Sequence, residues 1–146
     1  MGRFIDIGKA FETALFSGDQ EEIRQTMHPD ISYEMLGRQP LGGRFEGREN
    51  VIASFENRQV GLGPGFEYEQ ISRDWFEDET NGKVFVEIYE KSWLAKYPGD
   101  LLIVRTCSVL SFRDGKIISI IDYTDSQAYA GFKERHEGDI PKFAKG

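Results

Sequence analysis

Phe4, Ile7, Phe11, Ala14 and Leu15 recur three and four residues apart, the spacing that lines one face of a helix. Ser17-Gly18-Asp19 then stops that helix and caps the next. The pattern predicts a helical hairpin over residues 4–16 and 20–27, closed at His28-Pro29 because proline pushes its predecessor out of helical geometry. Alternation follows: Ile31, Tyr33 and Met35 share one face of a half-buried strand. The Gly/Pro-rich stretch 37–47 reads as a loop, and a third helix carrying Val51, Ile52 and Phe55 is expected over 48–60, ending near Gly61. Four strands complete the chain, at about 66–76, 83–93, 101–112 and 116–124. Asn81-Gly82 and Asp114-Gly115 favour two-residue turns in which both central residues take positive φ, and so predict tight hairpins.

Three N-terminal helices followed by an antiparallel meander predict an α+β fold, a curved and mainly antiparallel sheet wrapped around the helices. The strand from Val84 departs from simple alternation. Val84, Val86 and Ile88 lie on one face, and Phe85, Tyr89 and Trp93 on the other. A sheet covered on one face alternates apolar with polar, so the second face is expected to meet something as well. A homodimer formed through Phe85, Tyr89 and Trp93 is the simplest expectation; the competing one folds the C-terminal segment, 130–143, back over that face.

The 146 residues suit a single domain over 1–146, and 39% hydrophobic with 29% charged residues is a globular balance. A formal charge of −7 without a basic cluster disfavours nucleic acid as a partner. One cysteine, Cys107, and two histidines, His28 and His136, form no metal-ligand pattern, so neither a disulfide nor a metal is expected. Nowhere is there an apolar run of about 18 residues, nor an apolar leader, so no membrane partner and a cytoplasmic location are expected. Gly2 invites myristoylation, but Asp6 stands where that motif needs Ser or Thr. Gly61-Leu62-Gly63-Pro64-Gly65 follows a helix and precedes a strand, the reverse of a phosphate-binding loop.

Five segments carry a family likeness: Ser17-Gly18-Asp19, His28-Pro29-Asp30, Gly47-Arg48-Glu49, the run Phe112-Arg113-Asp114-Gly115-Lys116-Ile117, and Asp122-Tyr123-Thr124-Asp125. In order and spacing they resemble the SnoaL-like, ketosteroid isomerase-like branch of the nuclear transport factor two superfamily, over residues 4–130. The resemblance implies a conical fold whose concave sheet face holds a mostly apolar pocket with catalytic side chains pointing inward. Matching motifs assigns strand parity, and alternation then places inward Tyr33 and Met35; Val86, Ile88 and Glu90; Val104, Thr106, Ser108 and Leu110; Ile118, Ile120 and Asp122.

On that parity Asp122 closes an apolar row, where lost hydration would make it an acid or base usable near neutral pH. The resemblance to limonene epoxide hydrolase, with a catalytic aspartate at the matching position, supports this; the competing reading leaves Asp122 at the sheet's end in water or on a backbone amide. Glu90 is expected either to share a hydrogen bond or proton with Asp122 or to pair with a basic residue. Tyr33 is expected to orient a substrate oxygen or a water, or else to be a satisfied core tyrosine. Departures from the relatives are equally specific. Met35 stands where ketosteroid isomerase has its base, and Phe11 and Ser108 where it has its oxyanion donors. The arginine and asparagine of the epoxide hydrolase align with Ile88 and Met35, and neither histidine falls on a pocket strand as in scytalone dehydratase. The expected function is therefore cofactor-free acid/base catalysis, as in a cyclase, isomerase or dehydratase, on a small apolar oxygenated molecule. Asp122, Glu90 and Tyr33 would act in it, with Met35, Ile88, Val104, Thr106, Ser108, Leu110 and Ile120 against the substrate. The alternatives are a non-catalytic ligand-binding or dimerisation domain and an epoxide hydrolase.

Overall fold

In a computed structural model, which describes residues 3–36, 43–58 and 66–139, helix α1 (Arg3–Ser17) and helix α2 (Gln20–Thr26) form the hairpin that the spacing predicts. Gly18 makes the turn at φ +77°, and the Asp19 side chain accepts the Glu22 N–H to cap α2. The chain leaves α2 at Met27, whose extended backbone opens β1 (Met27–Met35). His28 and Pro29 thus lie inside a strand rather than at a helix end, and His28 Nδ1 accepts the Asp30 N–H. The loop expected over 37–47 contains a short strand, β2 (Gly43–Glu46), paired to β1; residues 37–42 lie outside the described part. Helix α3 (Arg48–Arg58) follows, and the expected end near Gly61 and the glycine-rich run 61–65 also lie outside it.

Strands β3 (Phe66–Asp78), β4 (Lys83–Leu94), β5 (Leu102–Arg113) and β6 (Lys116–Thr124) form the antiparallel meander. The sheet order is β2-β1-β6-β5-β4-β3, and the sheet is mainly antiparallel as expected, with β1 and β6 its parallel pair. The Asp114-Gly115 turn has both residues at positive φ, as expected. At Asn81-Gly82 only Gly82 does, because the Asp78 carboxylate draws in the Asn81 amide groups and the chain turns through four residues, 79–82.

Besides a register shift between Met27 and Ser32 where β1 pairs with β6, two bulges bend the sheet, one at Ile71 and one at Ile118. The second corrects the expected parity: Ile117, fully buried, faces inward below Ile120, and Ile118 is the extra residue. The inward face of the sheet and the helices enclose the main core, with Phe11, Met27, Ile31, Val51, Val84 and Val86 at its centre.

Helix α1 runs along β3 with a matched repeat. Four helical residues rise about 6 Å and two strand residues about 6.6 Å. Glu77 therefore accepts the Phe4 and Ile5 N–H groups, Gly8 lies against the Trp75 ring, and Glu12 reaches Arg73. A fourth helix, α4 (Ser126–Arg135), capped by Asp125, was not anticipated. It lies on the inward side of the sheet: Tyr129 and Phe132 pack with Leu94, Leu102, Phe66 and Val104 in a second core. Over 126–139 the C-terminal segment thus does not cover the outward side of β4, where Phe85, Tyr89 and Trp93 stand half-buried.

Candidate functional site

Between the two cores the inward face turns polar. Along β5 the inward residues run Leu110, Ser108, Thr106, Val104 and Leu102. The first belongs to the main core, and the last two to the core under α4. In the ladder Ser108 stands opposite Asp122, and Asp122 beside Met35 of the parallel strand β1. Tyr33 Oη donates to Asp122 Oδ2 at 2.7 Å, and Ser108 Oγ donates to Oδ1 at 2.5 Å. Each oxygen of the carboxylate thus receives a hydroxyl, an arrangement that solvates an anion away from bulk water. Tyr33 is held for this by the Phe45 and Phe55 rings. One layer further out, Thr106 and Thr124 join their hydroxyls at 2.9 Å.

Glu90 faces Val104, four residues along β5 from the Ser108 that faces Asp122. Its ion partner is Arg73, 3.7 Å away, rather than Asp122. Sequence reasoning missed this arginine and the residue that holds it. Arg73 Nη1 donates to both oxygens of Glu12 at 2.7 and 2.6 Å, and its Nε donates to Gln70. These side chains are 16% (Arg73), 19% (Glu12) and 23% (Glu90) exposed, so the cluster is largely out of water. Burial pushes the Glu12 carboxyl above its usual value; Arg73 opposes this, while the negative charges of Asp122 and Glu90 add to it. Burial likewise raises Glu90 against the pull of Arg73. Arg73 pairs with Ile88 and Ile88 with Thr106, two residues along β5 from the Ser108 that faces Asp122, so the two clusters occupy neighbouring rungs of one inward face.

Of the remaining expected residues, Leu110 and Ile120 lie deep in the main core, with Ile88 and Met35 packed against it. The signals for the missed pair were faint. Glu12 falls beside the apolar stripe of α1, and Gly8, one turn earlier, marks the close approach that delivers it. The β3 sequence, FEYEQISRDWFED, shows no alternation that would mark Arg73 as inward. Among the described residues no cluster of three His, Cys, Asp or Glu side chains is arranged to hold a metal ion. Cys107 lies on the opposite face of β5 from Ser108, and burial, with Glu87 and Asp122 adding, raises its thiol and keeps it protonated.

A curved mixed sheet wrapped around helices, with the Asp122 and Arg73 clusters on its concave face, defines an α+β cone of the nuclear transport factor two-like class. The SnoaL-like domain model matches residues 8–120, and the chain belongs to that family. Its fold is similar to that of a nuclear transport factor two-like protein from Burkholderia xenovorans, with 19% identity, coverage of 90% of this chain and 95% of that one, and a TM-score of 0.71. It is also similar to an epoxide hydrolase of the limonene type from Mycobacterium tuberculosis, with 21% identity, 92% coverage of each chain and a TM-score of 0.64. A third similar structure is a putative polyketide cyclase from Xanthomonas campestris, with 18% identity, coverage of 88% and 95%, and a TM-score of 0.64. No curated protein matches the sequence. Together these establish a small-molecule-binding or catalytic domain of this fold.

Proposed function

We propose that the chain is a cofactor-independent acid/base enzyme acting on a small, mostly apolar, oxygen-bearing molecule by cyclisation, isomerisation or dehydration. The observation that carries this is Asp122, a carboxylate on the concave face whose two oxygens are each held by a hydroxyl. A base fixed in this way takes a proton from a carbon beside a carbonyl, then returns it to a second carbon or to a departing hydroxyl, which leaves as water. Tyr33 and Ser108 hold its direction, and Met35, its ladder neighbour on β1, supplies apolar surface beside it. The solved structure described as a putative polyketide cyclase supports this reading.

One observation favours a second reading, epoxide opening by water. Ile88 stands where the limonene enzyme has its arginine, but in the β3–β4 ladder Arg73 pairs with Ile88, so a guanidinium is offered from the neighbouring strand. The similarity to the epoxide hydrolase structure points the same way, while Met35 still leaves one polar group missing. We also propose that two copies associate through the outer sheet face.

The test is proton exchange at carbon. Small apolar ketones such as 2-tetralone are incubated in D2O with the protein and deuterium uptake is followed by NMR; styrene oxide in labelled water probes the second reading. The expected result is catalysed exchange that falls by a factor on the order of 10² to 10⁴ in Asp122→Asn, with folding intact. Tight ligand binding with neither exchange nor epoxide opening would overturn both readings in favour of a binding module.

A further inference from the structure

We propose that Glu12, delivered from α1, is a working part of this site, and that Glu12 and Glu90 hold one proton between them across the Arg73 guanidinium at a pH where a free glutamate has lost it. This rests on the reading of Asp122 as the base and supplies that base with an acid partner.

The geometry gives one cation to two acids. Arg73 grips Glu12 through Nη1 and turns Nη2 toward Glu90. Its Nε is taken by Gln70. The charged groups acting on Glu12 from the elements packed around α1 are Arg73 of β3, Glu90 of β4 and Asp122 of β6. On its own helix Lys9 is directed to the Trp75 ring, and Arg24 of α2 is engaged by Glu49. On Glu90 the acting charge is Arg73; the next residue, Lys91, is paired with Glu69 on the other face. Two ionised glutamates on one largely buried guanidinium leave a net negative charge that is only partly solvated. Retaining one proton relieves it, and interacting carboxyls of this kind titrate as a pair. The raised Glu12 and Glu90 carboxyls agree with this.

The pair then completes the proton balance of the proposed reaction. As Asp122 takes a proton from carbon and so loses its charge, the glutamic acid gives its proton to the substrate oxygen, and Glu12 and Glu90 then share the Arg73 cation as two anions until a proton returns. Asp122 later passes its proton to the product carbon or to solvent, and the pair regains one from the product hydroxyl or from water.

The test needs no substrate. Carboxyl carbons of the glutamates are followed by NMR from pH 3 to pH 9 in the unaltered protein, in Glu12→Gln and in Glu90→Gln. In the unaltered protein one member of the pair should titrate clearly above the ordinary 4.5. In Glu12→Gln the Glu90 midpoint should fall back, because a like charge is gone and Arg73 is released to it; Glu90→Gln should do the same to Glu12. Both midpoints at or below 4.5 in the unaltered protein, or a remaining glutamate that does not respond, would overturn the proposal. Exchange activity lost in Asp122→Asn alongside unresponsive glutamates would sink this pair and leave the Asp122 reading standing. A responsive pair without exchange activity would do the reverse.

Discussion

Gly8 and Glu12 show how much a single position decides. A β-carbon built on Gly8 would stand 3.0 Å from Cζ3 of the Trp75 ring, so this glycine sets the distance between α1 and β3. Gly8→Ala gains about 1 kcal/mol of helix propensity but must displace an indole packed against the main core. Overpacking of that kind costs about 1–3 kcal/mol, so the variant should be less stable by up to about 2 kcal/mol in urea denaturation. A neutral or stabilising result would mean that the ring has room to move. An outward shift of α1 that relieves the same clash would also draw Glu12 from Arg73, so crosspeaks between the two side chains should weaken in this variant. The sequence revealed Tyr33, Asp122 and Ser108 as inward because each lies in a strand whose parity a motif or an alternation marks. Glu12 and Arg73 stayed hidden because a salt bridge across a helix–strand contact leaves no periodic trace in either segment.

The same distinction operates between elements. Hairpins and helices defined by glycine turns, caps and 3.6-residue spacing were legible, down to the positive φ of Asp114 and Gly115. Strand β2 was not, because four residues with one large apolar side chain, Phe45, carry too little pattern. The bulge in β6 was also hidden: in Ile117-Ile118-Ser119-Ile120-Ile121 apolar residues fall on both faces, and an extra residue leaves the pattern unchanged. Helix α4 was not legible as a helix, and the competing reading of residues 130–143, a cover over the outer face, is not what α4 does, since it packs on the inward face. It is pinned at its C-terminal end by Asp100, which accepts from Arg135 Nε and Nη2, each at 3.0 Å, and lies 2.6 Å from His136 Nε2. These hydrogen bonds, from Arg135 first and then His136, hold the Asp100 carboxyl down at about 2. A depressed acid stabilises the folded state above its unfolded value of 3.8, and that contribution is lost as pH falls toward 2. Asp100→Asn should therefore speed hydrogen exchange of α4 amides at pH 7, and acidification below 3.8 should do so in the unaltered protein. Unchanged exchange in both cases would show that Phe132, fully buried, anchors the helix unaided.

At the scale of the whole molecule the two faces of the sheet divide the labour. The concave face spends its side chains on the cores and on the polar seam between them, whereas the convex face has no covering segment among the described residues. The apolar surface there is a row across four strands, Phe76, Phe85, Val109 and Ile121, joined in register. Phe76 is 56% exposed, and Tyr123, two residues along β6 from Ile121 on the same face, is 48% exposed. Of the three residues that the sequence suggested for association, Phe85 belongs to this row. Tyr89 lies under the Arg105 guanidinium at 3.8 Å, and Trp93 gives its N–H to Glu67, so those two already have partners on their own sheet. Association through the convex face would thus be driven by the Phe76–Ile121 row, and opposed by the formal charge of −7 on each copy. Raising ionic strength screens that repulsion without weakening apolar burial, because the Debye length falls from about 30 Å at 0.01 M to about 10 Å at 0.1 M salt. Sedimentation at micromolar concentration should then show a dimer that tightens as salt rises from 0.01 to 0.3 M. Phe76→Glu, which places a charge in the row, should return it to monomer without unfolding the chain. A monomer at every salt concentration, or a dimer that salt dissociates and Phe76→Glu leaves intact, would remove the convex face from the assembly.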